Sequence, residues 1–157
     1  GYALQQELTW SSLPDLDELS QLWFQQFGLS AVAMSGANSL LADLKQQGYK
    51  LAVVSNGGHA TRLTILQGLG FSHYFDEIVS SELVGISKPN AEIFLHTSRQ
   101  LEVEPQHCLF IGDHPVNDIQ GATQAGMKAL WLKGFHAIDG HHPMNTIQHL
   151  AEIKQYL

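Results

Sequence analysis

From Leu51 onward, short uninterrupted apolar runs alternate with stretches in which apolar side chains recur every three or four positions. Leu51-Ala52-Val53-Val54 is the first run; Ile78-Val79, Cys108 to Ile111 and Ala129 to Leu132 follow. Runs that are apolar throughout predict parallel strands covered on both faces, whereas alternation would predict a half-solvated sheet. The intervening spacing predicts helices over 36–47, 59–69, 90–101 and 118–125. Leu40, Leu41 and Leu44 share a face of the first, and Gly48 is its expected C-terminal cap. Leu63, Ile65 and Leu66 are the apolar positions of the second. The third carries Ile93, Phe94 and Leu101 after Pro89 at a helix-start position, and the fourth closes at Gly126. Strands alternating with helices of this length predict a doubly wound α/β domain.

Residues 1–35 follow a different pattern. Pro14-Asp15 opens a helix with Glu18 three residues beyond Asp15, a start resembling a capping box. Leu16, Leu19, Trp23 and Phe27 recur at helical spacing before Gly28, as core packing or as part of a helical lid. Near the other end, Asp139-Gly140-His141-His142-Pro143 forms a turn before a short terminal helix, and its histidine pair belongs to a solvated loop.

Composition narrows the function. A chain of 157 residues with 44% apolar and 15% charged positions is one globular domain. A net charge of −7, with 8 Lys+Arg and no basic cluster, argues against nucleic acid or an anionic membrane as partner. A small anionic substrate, neutralised locally, stays open. The single cysteine, Cys108, cannot form an internal disulfide, agrees with a reducing compartment, and reads as a packing residue. No apolar run approaches the ~18 residues of a membrane span. The N-terminal residues carry no signal peptide, so a cytoplasmic location is expected; they also lack an initiator Met, which suggests an excised piece.

The chemistry-bearing residues lie at the ends of the apolar runs, where open α/β sheets bind ligands. Ser55, Asn56 and Gly57 offer a hydroxyl and backbone N–H groups before a helix N-terminus, a ready anion site, although Ser55 or His59 capping that helix is an alternative. Lys88, held by Pro89 in a strand-to-helix loop, can reach a phosphate oxygen and a carboxylate. Gly112-Asp113-His114-Pro115-Val116-Asn117-Asp118 places two carboxylates five positions apart in another such loop. Hard oxygen donors of this kind suit Mg²⁺, which takes one or two carboxylates together with substrate phosphate. Asp118 stands at a helix start, where it can also cap, and His114 reads as a loop-shaping residue.

The order Val-Val-Ser55-Asn-Gly, then Ser-Lys88-Pro-Asn-Ala-Glu-Ile-Phe, then Ile-Gly-Asp113-His-Pro-Val-Asn-Asp118 closely resembles the haloacid dehalogenase-like (HAD) hydrolases, as that superfamily's second to fourth motifs. The likeness covers roughly residues 36 to 135. It implies a Rossmann-like, three-layer α/β/α parallel sheet with a helical cap, and phosphoryl transfer through an aspartyl-phosphate. By the same resemblance Ser55, with Asn56 and Gly57, holds the phosphate and Lys88 neutralises the intermediate. Asp113 ligates Mg²⁺, and Asp118 completes the metal site directly or through water. Lys88 and Asp113 are the catalytic candidates.

The family's first motif, a strand ending in Asp-x-Asp that supplies the nucleophile and the general acid/base, is not matched. The sole Asp-x-Asp, Asp15-Leu16-Asp17, follows Ser-Ser-Leu-Pro and falls within a helical pattern. The chain thus reads as residues 1–33, a remnant of the cap, and 34–157, a core lacking its first strand. In the family that strand lies mid-sheet, so the strands beside it should either pair directly or be bridged by another chain, their apolar edges favouring self-association. The expected function is a Mg²⁺-dependent phosphatase on a small phosphorylated metabolite in the intact parent, with this chain inactive for want of its nucleophile. A non-catalytic phosphate-binding or regulatory relative is the alternative. Dehalogenation fits less well, because the resemblance ties Gly112-Asp113 to Mg²⁺-using members. A response-regulator receiver orders its acidic residues and lysine the other way.

Overall fold

The computed structural model describes residues 34, 36–133 and 145–157. The expected cap remnant, its aromatic stripe, Asp15-Leu16-Asp17 and the Asp139–Pro143 turn lie outside the described residues. In chain order the elements are α1 (Ala37–Gln46), β1 (Ala52–Ser55), α2 (His59–Leu69), β2 (Glu77–Ser80), α3 (Ser81–Val84), α4 (Ala91–Leu101), β3 (Leu109–Gly112), a π-helical turn (Pro115–Gln120), α5 (Gly121–Gln124), β4 (Lys128–Leu132), β5 (Asn145–Ile147) and a terminal 3₁₀ helix (Leu150–Tyr156).

Every strand pairing is parallel, as the uninterrupted apolar runs require. Side chains alternate between two buried layers. Leu109 and Ile111 of β3 and Leu130 and Leu132 of β4 pack with Leu40 and Leu44 of α1 and Ile153 of the terminal helix. Phe110 and Ala129, with Val54 and Val79 of the other strands, pack with Ile93 and Phe94 of α4 and with Ala122. The result is the expected α/β/α layering. At Gly121 a Cβ would lie 2.6 Å from the Phe94 ring and 2.8 Å from the Pro89 carbonyl, so only glycine lets α5 approach α4 so closely.

The sheet is divided. β1 pairs with β2, and β3, β4 and β5 pair in that order, but β1 and β3 do not pair with each other. Direct closure of the gap is therefore corrected: the two half-sheets remain apart. Among the described residues a cavity of about 1140 Å³ separates them, lined by Ala52, Val53 and Val54 on one side and Leu109, Phe110 and Ile111 on the other. A further parallel strand would sit about 4.8 Å from each neighbour, so a gap of one strand leaves two edges too distant to hydrogen-bond.

Some elements differ from expectation. Leu63 is exposed, and Leu66 is the buried residue of α2. The helical turn after β3 begins at Pro115 rather than Asp118, because a proline suits a first helical position. Pro89 precedes the true cap of α4, Asn90, whose side chain accepts from the Glu92 N–H. Cys108 lies just before β3 and packs beside Phe110, and burial pushes its thiol above the usual value.

Asp76 fastens the start of the β1–β2 half. Its carboxylate accepts the Leu51 N–H at 2.8 Å and the Lys45 ammonium at 2.9 Å. The Leu51 bond first, then Lys45, holds this carboxyl below the usual range. A depressed folded-state value stabilises above the unfolded value near ~4 and is lost as pH falls through the folded one. Asp76→Ala should therefore lower stability at pH 7 by about 1 kcal/mol, modest because the pair is half open to solvent. Thermal unfolding of both proteins from pH 7 to pH 2 should show the difference shrinking below pH ~4.

Candidate active site

Three loops converge at the C-terminal ends of the strands: those after β1, before α4, and after β3. Asn56 joins the first two through a reciprocal clamp. Its Nδ2 donates to the Lys88 carbonyl at 3.0 Å, and its Oδ1 accepts the Lys88 N–H at 2.8 Å. So fixed, Lys88 extends its ammonium to Asp118 Oδ1 at 2.5 Å, linking the second loop to the third. Both partners are shielded, with side chains 12% and 6% exposed. The ammonium also stands 5.6 Å from the Phe110 ring centroid.

The loop after β3 is built around Asp118. Its Oδ2 accepts the His114 N–H at 3.0 Å, and His114 Nδ1 accepts the Asn117 N–H at 3.0 Å, capping the turn. The loop-shaping reading of His114 is thereby explained. Gly112 is required by the same packing, since a Cβ there would fall 2.4 Å from the Asp118 carboxylate. Trp131 Nε1 on β4 donates to the Asp113 carbonyl at 3.1 Å, fixing the backbone that carries the second carboxylate.

Ser55, buried at the end of β1, donates to the Asn56 carbonyl at 3.2 Å and accepts from Arg62 Nε at 3.0 Å. The expected run of free N–H groups beside it is corrected. The Gly57 N–H donates to Ser81 Oγ at 2.8 Å, and the His59 N–H donates to Glu82 Oε2 at 2.7 Å. The protein thus supplies its own carboxylate to the positive end of α2. The Asn56 side chain, clamped on Lys88, shapes the site, and the Gly57 N–H is engaged by Ser81.

Arg62, Ser81, Glu82 and Trp131 were not among the sequence candidates. Arg62 alone had a local signal, a basic residue on the first full turn after Ser55 in a chain poor in cations. Its guanidinium is half-buried, and desolvation holds it below its usual value.

As oxygen donors, Asp113 and Asp118 suit Mg²⁺, an ion that needs only one or two carboxylates beside phosphate and water. Among the described residues there is no group of three or more metal-binding side chains. The donor set therefore fits a cation shared with a ligand better than a self-sufficient structural metal site.

Removing either member of the shielded ion pair strands a buried charge. Lys88→Met and Asp118→Ala should each cost about 3–5 kcal/mol, read as denaturant midpoints. Gly112→Ala should also destabilise, by about 1–3 kcal/mol, because its methyl must displace the carboxylate. Combined with Lys88→Met, it should cost less than the sum of the two, since both act on the same pair.

The pattern of the haloacid dehalogenase-like hydrolases matches residues 7–132. A glyceraldehyde 3-phosphate phosphatase of Methanothermobacter thermautotrophicus is 44% identical over 92 residues, 59% of this chain and 41% of that protein. Pyrimidine 5'-nucleotidase YjjG of Escherichia coli is 31% identical over 143 residues, covering 89% of this chain and 63% of the nucleotidase. The chain thus spans less than two thirds of either relative. Among solved structures, the putative HAD-hydrolase YfnB from Bacillus subtilis, bound to magnesium, superposes with a TM-score of 0.78 at 28% identity, over 98% of this chain and 67% of that one. With three motif loops converging at the strand ends and a family pattern running through most of its length, the chain belongs to the haloacid dehalogenase-like hydrolases.

Proposed function

We propose that these residues form the phosphate- and cation-binding part of a Mg²⁺-dependent phosphatase acting on a small phosphomonoester. The observation that carries the reading is the Lys88–Asp118 pair, clamped through Asn56 to the loop of Ser55. It brings a hydroxyl, an ammonium and a carboxylate loop to one rim. Lys88 has three donors, so pairing with Asp118 leaves N–H groups for a phosphoryl oxygen. As a donor, the Ser55 hydroxyl makes a long bond to its neighbour's carbonyl, one that a phosphoryl oxygen can replace. Asp113 and Asp118 would hold Mg²⁺, whose positive charge would offset that of the phosphoryl oxygens. The phosphatase and nucleotidase names of the relatives favour a phosphomonoester, and the magnesium-bound neighbour favours the cation.

Among the described residues no strand ends in Asp-x-Asp, and with residues 1–33 read as a cap remnant the chain would lack the group that attacks phosphorus, and with it covalent turnover. Electrostatic binding remains. The purified chain should bind inorganic phosphate weakly, more tightly with Mg²⁺, and Ser55→Ala should weaken binding about tenfold, the worth of one hydrogen bond to a charged group. Calorimetric titration measures this, and p-nitrophenyl phosphate hydrolysis should stay at background. Binding indifferent to both Mg²⁺ and Ser55→Ala would overturn the site; hydrolysis abolished by Lys88→Met would overturn the inactivity.

A further inference from the structure

Arg62 stands apart from the other basic side chains. Lys45 pairs with Asp76, Lys88 with Asp118, Arg99 with Glu92 and Lys154 with Asp43. Lys50 donates to the Leu101 carbonyl, and Lys128 and Lys133 are exposed. Among the described residues, Arg62 is the one half-buried basic side chain with no carboxylate in ion-pair range. Its Nε donates to Ser55 Oγ at 3.0 Å. The two terminal nitrogens of the guanidinium fork make no hydrogen bond to a described residue, and they belong to the group already seated on the Ser55 hydroxyl. Partial burial strips some water from the guanidinium without supplying a carboxylate, and an anion is its natural counterpart.

The charges at the rim sharpen the point. Asp118 neutralises Lys88. The α2 N-terminus has taken Glu82. Among the described groups beside Ser55, the Arg62 guanidinium is then the cation that no carboxylate neutralises.

We propose that Arg62 is an anion-binding residue of this site, its fork gripping two oxygens of a tetrahedral phosphoryl group whose third oxygen is held by the Ser55 hydroxyl. The inference rests on the reading of Ser55 as a phosphate residue. A guanidinium matches two oxygens at once, which a point-charge ammonium does not. Nε holds Ser55 Oγ from one side, so arginine both orients the hydroxyl and presents its remaining donors beside it.

Calorimetric titration of the full 157-residue chain with inorganic phosphate, and separately with phenyl phosphate, tests the assignment. Arg62→Gln should weaken both ligands by the same factor, about tenfold or more, and flatten the salt dependence of binding. Arg62→Lys, which keeps the charge and loses the fork, should fall between. Thermal midpoints measured alongside show whether each variant is folded; if Arg62→Gln is not, Arg62→Lys carries the test through its intermediate affinity and unchanged salt slope. Equal phosphate affinity in wild type and folded variants would overturn the role of Arg62 while leaving the Ser55–Lys88 site intact. Weakening of phenyl phosphate alone would also overturn it, placing Arg62 on the organic part. If Ser55→Ala and Lys88→Met leave phosphate binding unchanged, the underlying site fails, whatever Arg62 does. A wild-type chain that binds no phosphate in the millimolar range overturns both.

Discussion

The ion pair between Lys88 and Asp118 is the interaction on which the arrangement depends. It crosses from the half of the molecule built on β1 and β2 to the half built on β3, β4 and β5, which share no strand pairing. Beneath it, Phe94 of α4 meets Phe110 of β3 edge to face at 4.9 Å, and Val54 and Val79 join the same apolar layer. Apolar packing supplies non-directional cohesion between the halves. The ion pair adds direction, because an ammonium and a carboxylate withdrawn from water tolerate little displacement before one loses its partner. Asn56 and Gly112 serve that geometry from either side, one by fixing the lysine's backbone and the other by making room for the carboxylate.

The same pair bears on function in two opposed ways. It holds the three loops in register, so a ligand meets a prearranged rim instead of having to organise one. It also consumes the positive charge of the lysine. In the proposed site Lys88 would therefore contribute donors and direction more than field strength, and attraction for a dianion would come from elsewhere. A bound cation is one source; the half-buried guanidinium beside Ser55 is another. Glu82 on the α2 N-terminus follows the same pattern, since a helix end that might have attracted a ligand is already satisfied from within.

Much of the scaffold was legible in the chain. Unbroken runs such as Ala52-Val53-Val54 and Leu109-Phe110-Ile111 announce parallel, two-sided burial, because a solvated face would demand polar residues in alternation. Helices with apolar residues three and four apart were equally plain, as at Leu40 and Leu44. β5 was not, since Asn145-Thr146-Ile147 places a single apolar residue in the strand, and only tertiary contact shows Ile147 to be fully buried. The site divides similarly. Ser55, Lys88, Asp113 and Asp118 stood out as candidates by residue type in the loops that follow the apolar runs. The occupation of the Gly57 and His59 amides was not, because Ser81 and Glu82 lie more than twenty residues onward and reach them only through the β1–β2 pairing.

Glycine and proline positions show why a local motif can be read correctly for an incomplete reason. Gly112-Asp113 looks like a turn before a metal-ligating carboxylate, yet the glycine is dictated by a different aspartate, six positions on, whose side chain fills the space of its missing Cβ. Pro115 then starts the helical turn early, which carries Asp118 inside it and turns its carboxylate back toward Gly112 and Lys88. A helix beginning at Asp118 would have aimed that carboxylate at its own first-turn amides instead of back toward Gly112 and Lys88. The three-residue offset between the expected and observed helix start thus decides whether Asp118 stabilises a helix or joins two halves of a sheet.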